Sequence, residues 1–186
     1  MSRKFNFFKE ALKNYKTSGT VTPSSRFLAN ELLEPVNFSD TKLIVELGPG
    51  NGAITKHILK KIKPNTHLVC FEINDSFYKE LQKIAHPQLT VLNVSAEDIE
   101  EEIHKLGFKQ ADYVVSSLPL TIIPKEISST ILKASYKILK QKGYFTQFQY
   151  SLSYYGKLKE IFGNNVSLSF ELLNFPPAFI YKCAKK

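Results

Sequence analysis

The sequence predicts an α/β protein, a doubly wound and mostly parallel seven-stranded sheet that ends in an antiparallel hairpin. Three observations lead there. Between residues 42 and 150, short apolar β-branched runs alternate with amphipathic helical patterns, the pattern of parallel strands joined by covering helices. The first run ends in three glycines two apart, Gly48, Gly50 and Gly52, at the place where a doubly wound sheet meets its ligand. Near the C-terminus two strand patterns are separated only by a short segment holding Pro176-Pro177, and so short a connection permits only an antiparallel pair.

The elements follow in order. Lys42–Leu47 is the first strand, and Ala53–Ile62 a helix with Ile54, Ile58 and Leu59 on one face and lysines opposite. Pro64-Asn65 turns the chain into a second apolar strand, residues 67–73. Asp75 or Ser76 is expected to cap a helix through Ile84 with Phe77, Leu81 and Ile84 inside. Residues 89–94 form strand three, Glu97–Leu106 an acidic helix closed by Gly107, and residues 111–118 strand four. Pro124 opens a helix to Leu139, and Gly143 begins strand five, GYFTQFQY. A helix over Tyr154–Phe162 precedes the hairpin strands NVSLSFELL and AFIYKCA. No repeat or linker interrupts the series, so residues 1–186 read as one domain: an N-terminal amphipathic helix and lid over 1–40 and a cofactor-binding core over 41–186.

Composition sets bounds. Apolar residues are 43% and charged residues 23% of the chain, values of an ordinary globular protein. Cys70 and Cys183 lie far apart in apolar runs, which predicts buried, reduced thiols rather than a metal pair or disulfide framework. No apolar run approaches the roughly 18 residues of a spanning helix. Lys9 and Glu10 stand where a signal peptide would keep its apolar core, so the expected location is cytoplasmic. The formal charge of +8 favours an anionic partner, nucleic acid or an acidic membrane surface.

The glycine loop narrows the ligand. Its spacing is G-P-G-N-G rather than G-x-G-x-x-G, and no Lys-Ser/Thr follows as in a phosphate-binding loop. Glu46 precedes the first glycine, where a negative charge opposes a pyrophosphate and suits a cation. Glu72 ends strand two, the position from which an acid accepts bonds from ribose hydroxyls. A cation with a ribose describes S-adenosylmethionine.

On these residues the sequence resembles the class I S-adenosylmethionine-dependent methyltransferases, whose Rossmann-like fold carries the motif V-E-L-G-x-G-x-G, as Val45–Gly52 does. The resemblance implies that Glu46, Gly48, Gly50, Gly52 and Glu72 hold this cofactor. Ile73 packs on its adenine or is plain core. Ser95, Ala96 and Glu97 either meet the adenine amino group or cap the next helix, Ser95 standing where many members carry Asp. The segment SSLP, residues 116–119, corresponds to the loop over the methyl donor, with Ser116 shared between cofactor and acceptor. Methyl transfer is an in-line displacement whose main demand is positioning. Carbonyls and a hydroxyl around Ser116, Ser117 and Leu118 are the groups expected to aim an amine nucleophile.

Within that class, TPSSRFLANELLEP (22–35), SSLPL with GYFTQFQYS, and NFPPAFIYKC together resemble the bacterial phospholipid N-methyltransferases, relatives of the ribosomal RNA adenine dimethyltransferases. The likeness runs from about residue 17 to the end. It implies transfer to the amine of a lipid such as phosphatidylethanolamine, an ornithine-type lipid remaining open, at an anionic or zwitterionic membrane surface. No protein partner is implied. Phe5, Phe8, Leu12 and Tyr15 fall at helical spacing among lysines, a pattern for a helix lying in the membrane interface or folding as a lid. A quaternary ammonium product is attracted to aromatic faces, and Tyr144, Phe148, Tyr150, Tyr154 and Tyr155 crowd the end of strand five. Tyr150 is the expected contact, matched within Q-x-T-Y although Gln149 replaces the hydroxyl residue. Arg26 either meets the lipid phosphate or lies on the surface of its helix. The rival acceptor is RNA adenine, which the charge suits; against it, S-S-L-P-L lacks the aromatic that stacks on a flipped base. A small-molecule acceptor, or cofactor binding without catalysis, completes the alternatives.

Overall fold

The computed structural model describes residues 26–186. The predicted membrane-interface helix therefore lies outside the described residues. The chain forms one seven-stranded sheet in the order β3-β2-β1-β4-β5-β7-β6. Its strands are β1 (Leu43–Leu47), β2 (His67–Phe71), β3 (Leu89–Leu92), β4 (Ala111–Ser116), β5 (Leu139–Gln149), β6 (Val166–Glu171) and β7 (Ala178–Ala184). The first five pair in parallel, while β7 runs antiparallel between β5 and β6. The chain reverses its direction of winding between β1 and β4, which makes their carboxyl ends the switch point.

Every residue of β1 is buried, as a central parallel strand covered on both faces requires. Leu43, Val45 and Leu47 face one core with α4 (Ile99–Lys105), α5 (Lys125–Ile138) and α6 (Tyr155–Phe162). Ile44 faces the other with α1 (Arg26–Leu33) and α2 (Ala53–Leu59). Cys70 and Cys183 are buried free thiols, as expected. Burial, then the charge of Glu46, pushes the Cys70 thiol well above its ordinary range, so it stays protonated.

Several boundaries differ from the sequence reading. The helix after the glycine loop ends at Leu59, not Ile62. The cap of α3 (Asp75–Leu81) is Asn74, not Asp75 or Ser76: its Oδ1 accepts from the amides of Ser76 at 3.0 Å and Phe77 at 3.3 Å. The acidic helix begins as a 3-10 turn, Ala96–Asp98, before α4. Strand β5 starts at Leu139, directly after α5, although its regular pairing with β4 resumes only at Tyr144, beside the predicted start. Gly143 is needed there because a Cβ would lie 2.7 Å from the Asp112 carbonyl.

Candidate functional site

The glycine loop joins β1 to α2 at the switch point. Gly48, Gly50 and Gly52 all adopt positive φ, 67°, 59° and 78°, a region that residues with a Cβ seldom enter. Space reinforces the requirement. A Cβ at Gly48 would lie 2.8 Å from Leu118 Cδ2, and one at Gly52 would lie 3.0 Å from Leu81 Cδ2. Glycine here lets the β1 loop and the loop after β4 close on each other.

Two buried acids brace the loop. Glu72 accepts from the Gly50 amide on Oε2 at 2.9 Å and from the Asn74 amide on Oε1 at 2.9 Å. Each carboxylate oxygen keeps further acceptor capacity for a hydroxyl. Glu46 has no solvent exposure; its Oε2 accepts from the Thr55 hydroxyl at 2.7 Å and the Cys70 thiol at 3.4 Å. Behind Glu72, the Asn93 side-chain Nδ2 donates to the Glu72 carbonyl at 2.9 Å, tying the segment after β3 to the end of β2.

Ser95 caps the turn that follows β3: its Oγ accepts from the Glu97 amide at 3.2 Å and lies 3.3 Å from Glu97 Oε2. Burial raises the Glu97 carboxyl above the ordinary range. Ala96 and Ile73 are buried in the same core cluster as Leu118. The capping alternative for Ser95 is thus observed.

The loop after β4 is more committed than the sequence indicated. Ser116 is fully buried and its Oγ lies 3.4 Å from the Leu118 amide. The Ser117 amide donates to the Leu47 carbonyl at 2.9 Å, extending the β1 pairing into the loop. The carbonyl of Leu118 already receives three donors, the Leu120 amide at 2.9 Å and the side-chain amides of Gln147 and Gln149 at 3.0 Å each. A carbonyl offers two lone pairs, so this one is filled and the expectation that it accepts from an amine is corrected. The two glutamines, one face of β5, instead hold the loop in place. Gln149, the departure from the family pattern, supplies half of that clamp. Ser117 Oγ is different: it is buried and has no hydrogen-bond partner among the described residues. An orphaned buried hydroxyl at a loop tip is costly unless a ligand completes it.

The five aromatic residues divide. Tyr144 stacks on Tyr113 in the core beneath α1, Tyr155 stacks on Tyr181, and the hydroxyl of Tyr154 bonds that of Ser128 at 2.9 Å. Phe148 and Tyr150 meet edge to face at 5.7 Å at the carboxyl end of β5, with Tyr150 43% exposed. Between α5 and α6 lies a cleft of about 680 Å³, lined by Thr121, Ile123, Lys125, Ser128, Tyr154 and Lys157. Helix α1 descends along the sheet, Glu31 meeting Ser169 and Lys182 and Glu34 meeting Lys182. Its exposed first residue, Arg26, therefore stands toward the carboxyl rim, with its guanidinium 4.9 Å from the Phe27 ring centroid.

Residues 23–149 match the family model described as ribosomal RNA adenine dimethylase. The ornithine lipid N-methyltransferase of Singulisphaera acidiphila is 28% identical over 181 residues, 96% of this chain and 94% of that protein. Ribosomal RNA small subunit methyltransferase A of Mycoplasma capricolum is 27% identical over 123 residues, 61% of this chain but 45% of that protein. Among solved structures, magnesium protoporphyrin IX methyltransferase from Synechocystis with bound S-adenosylmethionine superposes with a TM-score of 0.68 at 12% identity, covering 100% of this chain and 98% of that one.

Proposed function

Because the chain belongs to the ribosomal RNA adenine dimethylase family and is an S-adenosylmethionine-dependent methyltransferase, we propose that it methylates the amine head group of a membrane lipid. The observation that carries this reading is the nearly end-to-end likeness to a lipid N-methyltransferase, beside a match to under half the length of the ribosomal relative. The site agrees with it. The loop after β4 offers no aromatic side chain, and both of its leucines, Leu118 and Leu120, are buried, where base stacking would want an exposed ring. Phosphatidylethanolamine and ornithine-type lipids both carry the primary amine the reading requires.

The residues fit the cofactor. Positive-φ glycines and the absence of Cβ atoms give it bare backbone, Glu46 and Glu72 supply the negative charge and acceptors that its cationic and hydroxyl groups want, and Ile73 and Ala96 provide apolar surface. The cofactor supplies a methyl group on a sulfonium, already activated for displacement. What remains for the protein is orientation and desolvation. In this reading the Ser117 hydroxyl accepts an N–H of the lipid amine and points its lone pair at the methyl. Gln147 and Gln149 hold that loop rigid through the Leu118 carbonyl. Tyr150 and Phe148 offer aromatic faces to the increasingly substituted ammonium. Arg26 takes the anionic part of the head group. Membrane association is peripheral, in keeping with described helices none of which is long and apolar enough to cross a bilayer.

The test is transfer of labelled methyl to vesicles of phosphatidylethanolamine, or of ornithine lipid, with anionic lipid present, run beside protein-free ribosomal RNA. Gly50→Arg serves as the inactive control. Label in lipid that the variant abolishes supports the reading; label confined to RNA refutes it and assigns the chain to the nucleic-acid branch of its family.

A further inference from the structure

Beyond the site itself, the molecule carries an apolar projection that catalysis does not explain. The six residues between β6 and β7, Leu172 to Pro177, contain no charged side chain. Leu172 is 70% exposed, Leu173 65% and Phe175 80%. These are the most exposed large apolar side chains among the described residues. The loop's polar groups turn inward: the Leu173 amide donates to Glu171 Oε1 at 2.7 Å, and the buried Asn174 side chain donates to the Pro176 carbonyl at 2.8 Å. The segment is therefore a knob with the Leu173 amide and the Asn174 side chain bonded locally and its apolar side chains outside, an arrangement that water disfavours.

Its position supplies the occupant. Phe170 opposes Phe179 with ring centroids 4.7 Å apart, Phe179 pairs with Gln149, and Gln149 donates to the Leu118 carbonyl at 3.0 Å. The knob thus stands beside the catalytic loop, on the same carboxyl rim as exposed Tyr150 and Leu152. A protruding knob is a poor self-complementary surface, since two copies meeting tip to tip bury little area. Charge-free, convex and rich in Leu and Phe, it suits penetration of a fluid apolar phase, and the net charge of +8 suits the anionic lipid around it.

We propose that the β6–β7 loop, led by Leu172, Leu173 and Phe175, inserts into the lipid bilayer and seats the catalytic rim on the membrane. The inference rests on the lipid reading above and adds the surface by which the enzyme reaches its acceptor. Insertion at this edge brings head groups to the carboxyl ends of β4 and β5, so that an amine enters the site without the lipid leaving the bilayer.

The experiment compares the full chain with Leu172→Ser/Leu173→Ser in co-sedimentation with vesicles of phosphatidylethanolamine and phosphatidylglycerol. In parallel, both proteins receive a short-chain phosphatidylethanolamine dispersed below its micelle concentration, and both are sized by analytical ultracentrifugation. The expected result is a fall in vesicle partition of about tenfold or more, with transfer to the dispersed lipid retained. Equal partition of variant and wild type overturns the proposal, as does failure of the wild type to bind vesicles. A change of oligomeric state caused by the variant also overturns it, by assigning the loop to a second copy of the chain. Absence of transfer to dispersed lipid by the wild type removes the lipid reading itself, which the partition measurement cannot do.

Discussion

Gly48→Ala tests the closure of the glycine loop on the loop after β4. The substitution meets two penalties that the structure sets separately. At φ 67°, an alanine costs about 1 kcal/mol or slightly more relative to glycine. Its methyl would lie 2.8 Å from Leu118 Cδ2 and 3.4 Å from Cγ, against a usual carbon separation of about 3.5–4.0 Å. Because the nearest atom is the end of a side chain, the overlap belongs at the low end of overpacking, about 1–2 kcal/mol. The sum, about 2–3 kcal/mol, corresponds to a Tm lower by roughly 4–12 °C for a chain of this size. Relief of the overlap pushes Leu118 outward and carries Ser117 with it, and a displacement approaching 1 Å costs up to about a hundredfold in kcat. Scanning calorimetry and methyl transfer measure the two effects. Adding Leu118→Ala removes the clash and leaves the φ penalty, so the double mutant should be less damaged than the sum of the singles by about 1–2 kcal/mol. Strict additivity, or a Gly48→Ala protein with wild-type Tm and rate, refutes the argument.

Three further outcomes are expected. Ser117→Ala removes a buried hydroxyl with no partner among the described residues, so Tm should hold or rise while kcat falls about ten- to a hundredfold; a lost Tm with intact kcat would make the hydroxyl structural. Glu72→Gln replaces the carboxylate that receives the Gly50 and Asn74 amides, and about 1.5–3 kcal/mol per charged hydrogen bond should appear as cofactor affinity weakened more than tenfold in calorimetric titration; unchanged affinity would place the cofactor elsewhere. His67 lies 2.9 Å from the Thr90 hydroxyl, and burial lowers its imidazole below 6.5. The stability that its neutral form contributes is complete above pH 6.5 and is lost as pH falls through the lower folded value. Tm should therefore drop between pH 7 and 5, less steeply in His67→Gln; identical slopes would acquit this residue.

The parts legible in the sequence were those in which one short segment imposes its own requirement. The alternation of strand and helix patterns, the glycines of Val45–Gly52 and the acid ending β2 announced a doubly wound fold and its switch point, because backbone freedom and burial act locally. Even the cap of α3 was recoverable locally, since Asn74 is as good a capping residue as the two that follow it. Tertiary structure decided matters that depend on segments distant in the chain. Gln147 and Gln149 look like ordinary polar positions in a strand, yet 29 and 31 residues separate them from the carbonyl they fill. Filling it left the Ser117 hydroxyl as the open polar group of the loop. Likewise NFPP reads as a turn, and only the antiparallel return of β7 beside β5 sets its apolar side chains at the carboxyl end of β5. Local sequence sets which conformations a segment can adopt; which hydrogen-bond capacity is spent, and which apolar surface stays uncovered, follows from what the rest of the chain brings against it.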